Sequence, residues 1–421
     1  MRFGARYNWT LFAETINKFK EITIALYKTV SVCLMFKENI MAFDYSDSVS
    51  HYFDILELVK TRFKIKDSYL REGLPTFTII PDAQINDKIE WLRNKVYERG
   101  LDIVLQRDKE QITIVVVPLK FKKQQRVYST RVGLPLILFI ATIITVSISG
   151  YLTARSHITL MTLLGRLDIP SLFELTFQYT ISVIGIVGFH ELGHLIACRI
   201  HRVRASLPLF IPGIPGITPG TFGAVVQQES PAMDRNQLFD LGFMGPLFGL
   251  IIALIVSIIG YSWSVPVTEL EYMYIVDQLG PGQTIFPPIV FIFLGRFIFP
   301  NPNSFTHFLH PMASAGWIGT LITFFQVFPI GQLDGGHVSR ALLGKKWHHR
   351  LSYVMTGLMI LAGWWEMALL TLFIIRTHHP GVLNETAKVT LSRKIVGVLL
   401  IFIFIACFTF SSNSPLLMLL F

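Results

Sequence analysis

The chain has 421 residues, of which 52% are hydrophobic and only 15% are charged, and its net charge is +9. Ordinary soluble chains carry about 25% charged residues, so this composition excludes a wholly soluble protein and indicates a polytopic membrane protein with a soluble part. The basic surplus does not require nucleic acid, because basic residues that flank membrane helices produce the same balance, and we expect no nucleic-acid partner. The three cysteines are isolated and lack metal-ligand spacing, so they indicate neither a disulfide framework nor a cysteine-based metal site.

Residues 1–130 are predicted to form a soluble α/β domain that precedes a membrane domain of residues 131–421. Charges of both signs are dense in the first part, and its apolar periodicity predicts an amphipathic helix at 87–100. Two strands are predicted to follow, at 101–107 and 111–118. Nothing in this part has a catalytic pattern, and a role in regulation or partner binding is a hypothesis.

The start of the chain is not predicted to span a membrane. Residues 1–20 mix basic and acidic side chains and have no apolar core, so a secretory signal peptide of the usual form is not expected. Residues 22–36 are too short and too polar to span, and we predict a buried amphipathic helix there.

The membrane domain is predicted to contain about six transmembrane helices. Their approximate bounds are Leu134–Leu152, Leu172–Ile200, Leu238–Tyr261, Met312–Phe328, Tyr353–Ile375 and Ile395–Leu420. A basic cluster from Lys120 to Arg131 precedes the first span, which by the positive-inside rule predicts a multi-pass cell-membrane protein with a cytoplasmic N-terminal domain. The loop before the last span is also basic, which conflicts with an even alternation, so the count of six can differ by one.

The segment between the second and third spans, residues 206–231, is rich in proline and glycine yet rather apolar. Its Thr221–Gln228 portion has the pattern of a strand. Irregular backbone near a membrane is tolerated where it is packed in protein or lines a wet cavity. We therefore predict a re-entrant element with an edge strand, and the alternative is an ordinary surface loop.

The second predicted span carries the strongest chemical signal in the sequence. His190 and His194 are four residues apart and therefore lie on one face of a helix, where both imidazoles can reach one metal ion. Glu191 lies beside them, suited to a water molecule on the metal, and the H-E-x-x-H pattern is typical of zinc hydrolases in which glutamate is the general base. The alternative is two histidines satisfied by backbone carbonyls, but ionisable groups in membrane helices are costly and usually functional.

A catalytic zinc site needs a third protein ligand and one open position for water. Asp334 is the candidate, because an aspartate between apolar residues and glycines at the end of a span is costly without a cation. Alternatives are a helix-capping role for Asp334 and ligation by His337, for which we favour a supporting or structural role.

Together these motifs resemble the site-2 protease family, the intramembrane zinc metalloproteases. The resemblance covers most of residues 134–350 and rests on the following motifs: His190-Glu191-x-x-His194, Pro329-x-x-x-Leu333-Asp334-Gly335, Gly220–Ala224 near Ser230–Pro231, and Gly245-Pro246. It implies one zinc ion per chain held by His190, His194 and Asp334, with water activated by Glu191. The family usually has asparagine three residues before the proline, where this chain has Gln326, and an oxyanion-stabilising or substrate-holding role is implied for that residue.

The expected activity is that of a zinc metalloendopeptidase that cleaves within or near transmembrane segments of other membrane proteins. The expected partners are a membrane-protein substrate and the lipid bilayer, and residues Phe222, Gly223, Ala224 and Val225 are candidates for a strand that binds the substrate by strand addition. Two alternatives are a membrane metal transporter or sensor and a proteolytically inactive relative that binds membrane proteins. The intact Glu191 disfavours the inactive relative, since a zinc site without hydrolysis needs no base.

Overall fold

The computed structural model describes two stretches of the chain. The first is residues 45–118 without 72–73, 81, 83 and 109–110. The second is residues 133–414 without 167, 202, 204, 229–231, 280–286, 299–305, 377–378, 380, 385–386 and 412–413. The helix predicted at 22–36, the basic cluster from Lys120 to Arg131 and the Ser230–Pro231 pair lie outside the described residues.

The first stretch is a four-stranded antiparallel sheet packed against two helices. Its elements are α1 (Tyr45–Lys60), β1 (Ile65–Arg71), β2 (Leu74–Ile79), α2 (Ile85–Tyr97), β3 (Leu101–Asp108) and β4 (Gln111–Pro118). The strand order β1-β2-β4-β3 places β3 at an edge, and side chains such as Val59, Phe77 and Leu92 form one buried core. The predicted helix and two strands coincide with α2, β3 and β4, whereas β1 and β2 were not predicted. Whether residues 1–130 form a separate domain stays a prediction.

Three long helices follow: α3 (Gly133–Leu163), α4 (Leu172–Ile200) and α5 (Arg235–Ser262). Within the described ranges these are the helices that are long and apolar enough to cross a membrane. The N-termini of α4 and α5 are capped by side-chain oxygens of Ser171 and Asp234, which satisfy backbone N–H groups that a helix start leaves free. The chain is thus a mainly helical protein of the membrane type, and the count of six spans stays a prediction.

The second half of this part has shorter or interrupted helices: α8 (Pro311–Val327), α9 (Asp334–Leu361), α10 (Trp365–Arg376) and α11 (Leu391–Cys407). The prediction of one continuous helix over Tyr353–Ile375 is wrong. Gly363 has a φ of 85°, outside the range of a right-handed helix, so α9 ends and α10 begins on either side of it. The last predicted span, Ile395–Leu420, is helical only as far as Cys407 among the described residues.

The proline- and glycine-rich segment forms a two-stranded antiparallel hairpin of β5 (Leu209–Pro212) and β6 (Thr221–Val225). The hairpin packs on α3, where Thr145 Oγ1 donates a hydrogen bond of 2.7 Å to the Gly220 carbonyl. Gly220 has a φ of 95°, and a Cβ there would overlap the backbone of α3 at Val146, so only glycine fits. Insertion of this hairpin into the membrane stays a prediction.

Short elements complete the described chain: β7 (Ala232–Asp234), β8 (Val265–Val267), α6 (Glu269–Leu279), α7 (Ile289–Ile298), β9 (Thr306–Phe308) and β10 (Val382–Asn384). β8 pairs with β9. β10 pairs in parallel with β7, the short strand that directly precedes α5. α5 packs against α4, α8 and α9, so it is the central helix of the bundle that positions the site.

Candidate metal centre

Two histidines of α4 provide one half of the site. His190 and His194 lie one helical turn apart with ring centroids separated by 4.9 Å, and their Nε2 atoms are 3.1 Å from each other. His194 is oriented by a hydrogen bond of 2.9 Å from its Nδ1 to the Leu241 carbonyl on α5. Because Nδ1 carries the hydrogen in that bond, Nε2 presents its lone pair to the site, which is the tautomer that a metal ion binds.

Asp334 provides the other half from the first residue of α9. Its Oδ2 lies 3.2 Å from His190 Nε2 and 3.3 Å from His194 Nε2. This oxygen is buried and accepts no hydrogen bond from the residues that the structure describes. A buried carboxylate oxygen that accepts no hydrogen bond costs several kcal/mol, about the penalty that a cation at the site would offset.

The three atoms fit zinc. Zinc binds histidine nitrogen and carboxylate oxygen at about 2.0–2.2 Å in tetrahedral geometry, which separates any two ligand atoms by roughly 3.3–3.6 Å. The observed separations of 3.1, 3.2 and 3.3 Å lie close to that range. In the described part of the chain, this is the group of three or more potential ligands that lies close enough to hold one ion.

Glycines of α5 make room for the two ligand-bearing helices. A Cβ on Gly245 would overlap the imidazole of His194, and a Cβ on Gly249 would come within 3.1 Å of the His190 side chain. A Cβ on Gly242 would lie 2.6 Å from the Asp334 carbonyl oxygen. One glycine face of α5 therefore accommodates all three proposed ligands. Small residues let membrane helices approach closely, so Gly242, Gly245 and Gly249 at the start of the third predicted span predict close packing near the site, and the structure shows it.

Glu191 is buried beside the histidines, and the backbone of Val226, just beyond β6, lies close enough to interact with its carboxylate. The contact places the end of the β5–β6 hairpin next to the site. β6 pairs with β5 on one side, and among the described strands none pairs with its other side. Along β6, Phe222 and Val225 are exposed, while Gly223 and Ala224 are half-buried.

The structure places the other two predicted residues, Gln326 and His337, on the helices that flank the loop before Asp334. Gln326 is half-buried on the last turn of α8, next to Val327, whose carbonyl packs against Gly335 at the start of α9. His337 lies one turn after Asp334, but its Nδ1 is 2.8 Å from His379 Nε2, and it is not one of the grouped ligands. The His379 contact was missed because 42 residues separate the two histidines in sequence.

Comparison with known proteins assigns the family. Residues 178–365 match the model of peptidase family M50, a range that contains both histidines, Glu191 and Asp334. This segment of the chain belongs to the site-2 protease family. The site-2 protease match does not extend to the sheet formed by β1 to β4. No solved structure matches the chain.

Curated relatives match about half of the chain. The probable zinc metalloprotease EGY1, chloroplastic, of Arabidopsis thaliana is 33% identical over 229 residues, which are 53% of this chain and 41% of that protein. The rice protein of the same name, from Oryza sativa subsp. japonica, is 29% identical over 53% of this chain and 38% of its own length. EGY2 of Arabidopsis thaliana, also a probable chloroplastic zinc metalloprotease, is 25% identical over 55% and 42%. The chain thus matches less than half the length of these relatives.

Proposed function

We propose that the chain is an intramembrane zinc metalloendopeptidase that hydrolyses peptide bonds within or near transmembrane segments of other membrane proteins. The observation that carries this proposal is that ligand atoms of His190, His194 and Asp334 lie close together, with the Oδ2 atom of Asp334 buried between the two imidazoles. Glu191 is buried beside them. The family membership and the names of the relatives support zinc as the metal and proteolysis as the reaction.

The mechanism assigns a distinct task to each side chain. Zinc, when bound, supplies Lewis acidity that polarises a water molecule and the scissile carbonyl. His190, His194 and Asp334 would hold it through Nε2, Nε2 and Oδ2. Glu191 takes a proton from the attacking water and then delivers it to the departing amine.

A transmembrane helix has its carbonyls hydrogen-bonded internally, so a substrate has to unwind locally before it is cleaved. One side of β6 pairs with no described strand, so its backbone N–H and C=O groups can pair with an extended substrate segment. This side would hold the segment near Glu191, because Val226 at the end of β6 lies close to that residue. We propose that the substrate adds to this strand, and that Gln326 contributes an amide N–H to the substrate or the oxyanion.

Topology and location also belong to the proposal. We propose six crossing segments, formed by α3, α4, α5, α8, the α9–α10 pair and α11, with the N-terminal sheet on the side of the basic cluster. The basic cluster by itself favours a cytoplasmic N-terminus in a cell membrane, whereas the relatives are named as chloroplastic proteins.

The test of this function uses purified protein in detergent with a peptide that contains one transmembrane helix. Removal of metal with a chelator is expected to reduce cleavage to the background rate, and added Zn²⁺ is expected to restore it, because the three ligands without a cation have no Lewis acid to offer. Cleavage that persists after zinc is shown to be absent by elemental analysis would contradict the proposal. Zinc binding without cleavage of any membrane segment would favour the transporter or sensor alternative.

A charge on β6 should impair substrate binding without disturbing zinc. Phe222→Glu places a carboxylate on an exposed position of the strand, and we expect the KM for a transmembrane peptide to rise about 10-fold, the effect of losing roughly 1.4 kcal/mol of binding. Ile217→Glu is the matched control, because Ile217 is also exposed and lies outside the strand. An unchanged KM for Phe222→Glu would remove β6 from the proposed substrate site.

A further inference from the structure

His379 lies in the connection between α10 and α11, outside the metal centre, and both of its ring nitrogens have partners. The backbone N–H of Gly381 donates to His379 Nδ1 over 2.9 Å. The other nitrogen, Nε2, is 2.8 Å from Nδ1 of His337. Burial lowers the pKa of His379 to about 2, so the ring is neutral and carries a single hydrogen. Because Nδ1 is an acceptor, that hydrogen is on Nε2, and His379 donates it to His337.

His337 connects His379 to the first turn of α9, which carries Asp334. It lies three residues after Asp334 on α9, and its backbone N–H donates to the Leu333 carbonyl over 2.9 Å. Its Cβ faces Gly242 on α5, at the same place where α5 contacts the Asp334 carbonyl. The first turn of α9 is therefore held between α5 on one side and His379 on the other.

The connection that carries His379 is itself anchored. Three residues after His379, β10 pairs in parallel with β7, with Val382 opposite Ala232 and both side chains buried in one apolar cluster. β10 also lies beside β3, the edge strand of the N-terminal sheet, and Met233 of β7 packs on the core of that sheet. These contacts fix the place from which the imidazole reaches His337.

We propose that His379 is a positioning residue of the metal centre, which by its hydrogen bond to His337 holds the first turn of α9 so that Asp334 stays within reach of His190 and His194. The inference rests on the proposed function, because it assigns Asp334 to the metal. The connection between α10 and α11 would thereby help to shape the metal centre, although the three proposed ligands lie on α4 and α9.

The experiment compares His379→Ala and His379→Gln with His349→Ala in the full-length protein. Glutamine places an amide N–H near the position of Nε2 and keeps the bond to His337, whereas alanine removes it. His349 is exposed, lies on α9 and meets the ring of Tyr353 edge to face, so its removal is the matched control. Zinc affinity is measured by competition with a chromogenic chelator, and kcat and KM are measured on a transmembrane peptide.

For His379→Ala we expect zinc affinity to fall about 10-fold and kcat to fall with it, while KM stays within twofold, as for other residues that orient metal ligands indirectly. His379→Gln should recover most of both losses, and His349→Ala should match the wild type. Adding His337→Ala to His379→Ala should cause no further loss of zinc affinity, because both changes break the same bond.

Two results would overturn the inference. One is a zinc affinity in His379→Ala equal to that of the wild type. The other is a loss that glutamine does not rescue and that appears equally in KM and kcat, which would indicate only a folding defect. Zinc affinity is read without cleavage, so a wild type that binds zinc but cleaves nothing contradicts the proposed function and still tests His379.

Discussion

Replacing Glu191 with glutamine is expected to leave zinc bound and to reduce peptide cleavage by about 10²–10⁴-fold, the usual contribution of a general base. Glutamine has nearly the same shape but cannot accept the proton of the attacking water. Glu191 is not one of the three grouped ligand residues, so the metal content of the variant should match that of the wild type. The measurement is zinc per chain by elemental analysis together with the cleavage rate of a transmembrane peptide.

Glu174→Gln is the matched control, since Glu174 lies on the first turn of the same helix and is exposed. It should have the wild-type rate. A Glu191→Gln protein that cleaves normally would require another base, and one that loses zinc would make Glu191 part of the metal-binding structure. With zinc retained and cleavage lost, the transporter or sensor alternative also fails, because the wild type would then be an enzyme with Glu191 in a catalytic role.

The helical part of the site was readable from the sequence because its geometry is local. His190 and His194 are one turn apart on any helix, and the apolar run around them predicts that helix and its burial together. Asp334 was identified by a different kind of argument, the cost of a buried carboxylate that has no cation. Both arguments use only neighbours in sequence, so neither depends on how the helices pack.

The features that the sequence did not reveal depend on contacts across the fold. The break at Gly363 lies inside a mainly apolar run that contains Glu366, and a glycine in such a run does not by itself determine whether the helix ends there. Strand β1 has the sequence Ile-Lys-Asp-Ser-Tyr-Leu-Arg, which lacks regular apolar alternation and is stabilised by pairing with β2. The bond between His337 and His379 joins residues 42 positions apart, a pairing that no period within one helix or strand encodes.

Gly245→Ala is expected to disrupt the metal centre by adding a single methyl group. The added Cβ would occupy the space of the His194 imidazole, so either the ring turns away or α4 and α5 separate. Either movement breaks the hydrogen bond from His194 Nδ1 to the Leu241 carbonyl and removes Nε2 from the other two ligand atoms. We expect a fall in zinc affinity of about 10–100-fold, with loss of cleavage to match, and about 1–3 kcal/mol of overpacking cost.

Alanine substitutions at two other glycines are expected to reduce zinc affinity less than Gly245→Ala does. Gly249→Ala brings a Cβ to 3.1 Å from the His190 side chain, a contact that a small shift can relieve, so its loss of zinc affinity should be smaller. Gly188→Ala on α4 meets nothing within 4 Å and should bind zinc as the wild type does, with helix stability raised by about 0.5–1 kcal/mol. Chelator competition on the three variants checks the order. If Gly245→Ala bound zinc as tightly as Gly188→Ala, the placement of His194 against α5 would be wrong, and with it the assignment of that face as the scaffold of the metal centre.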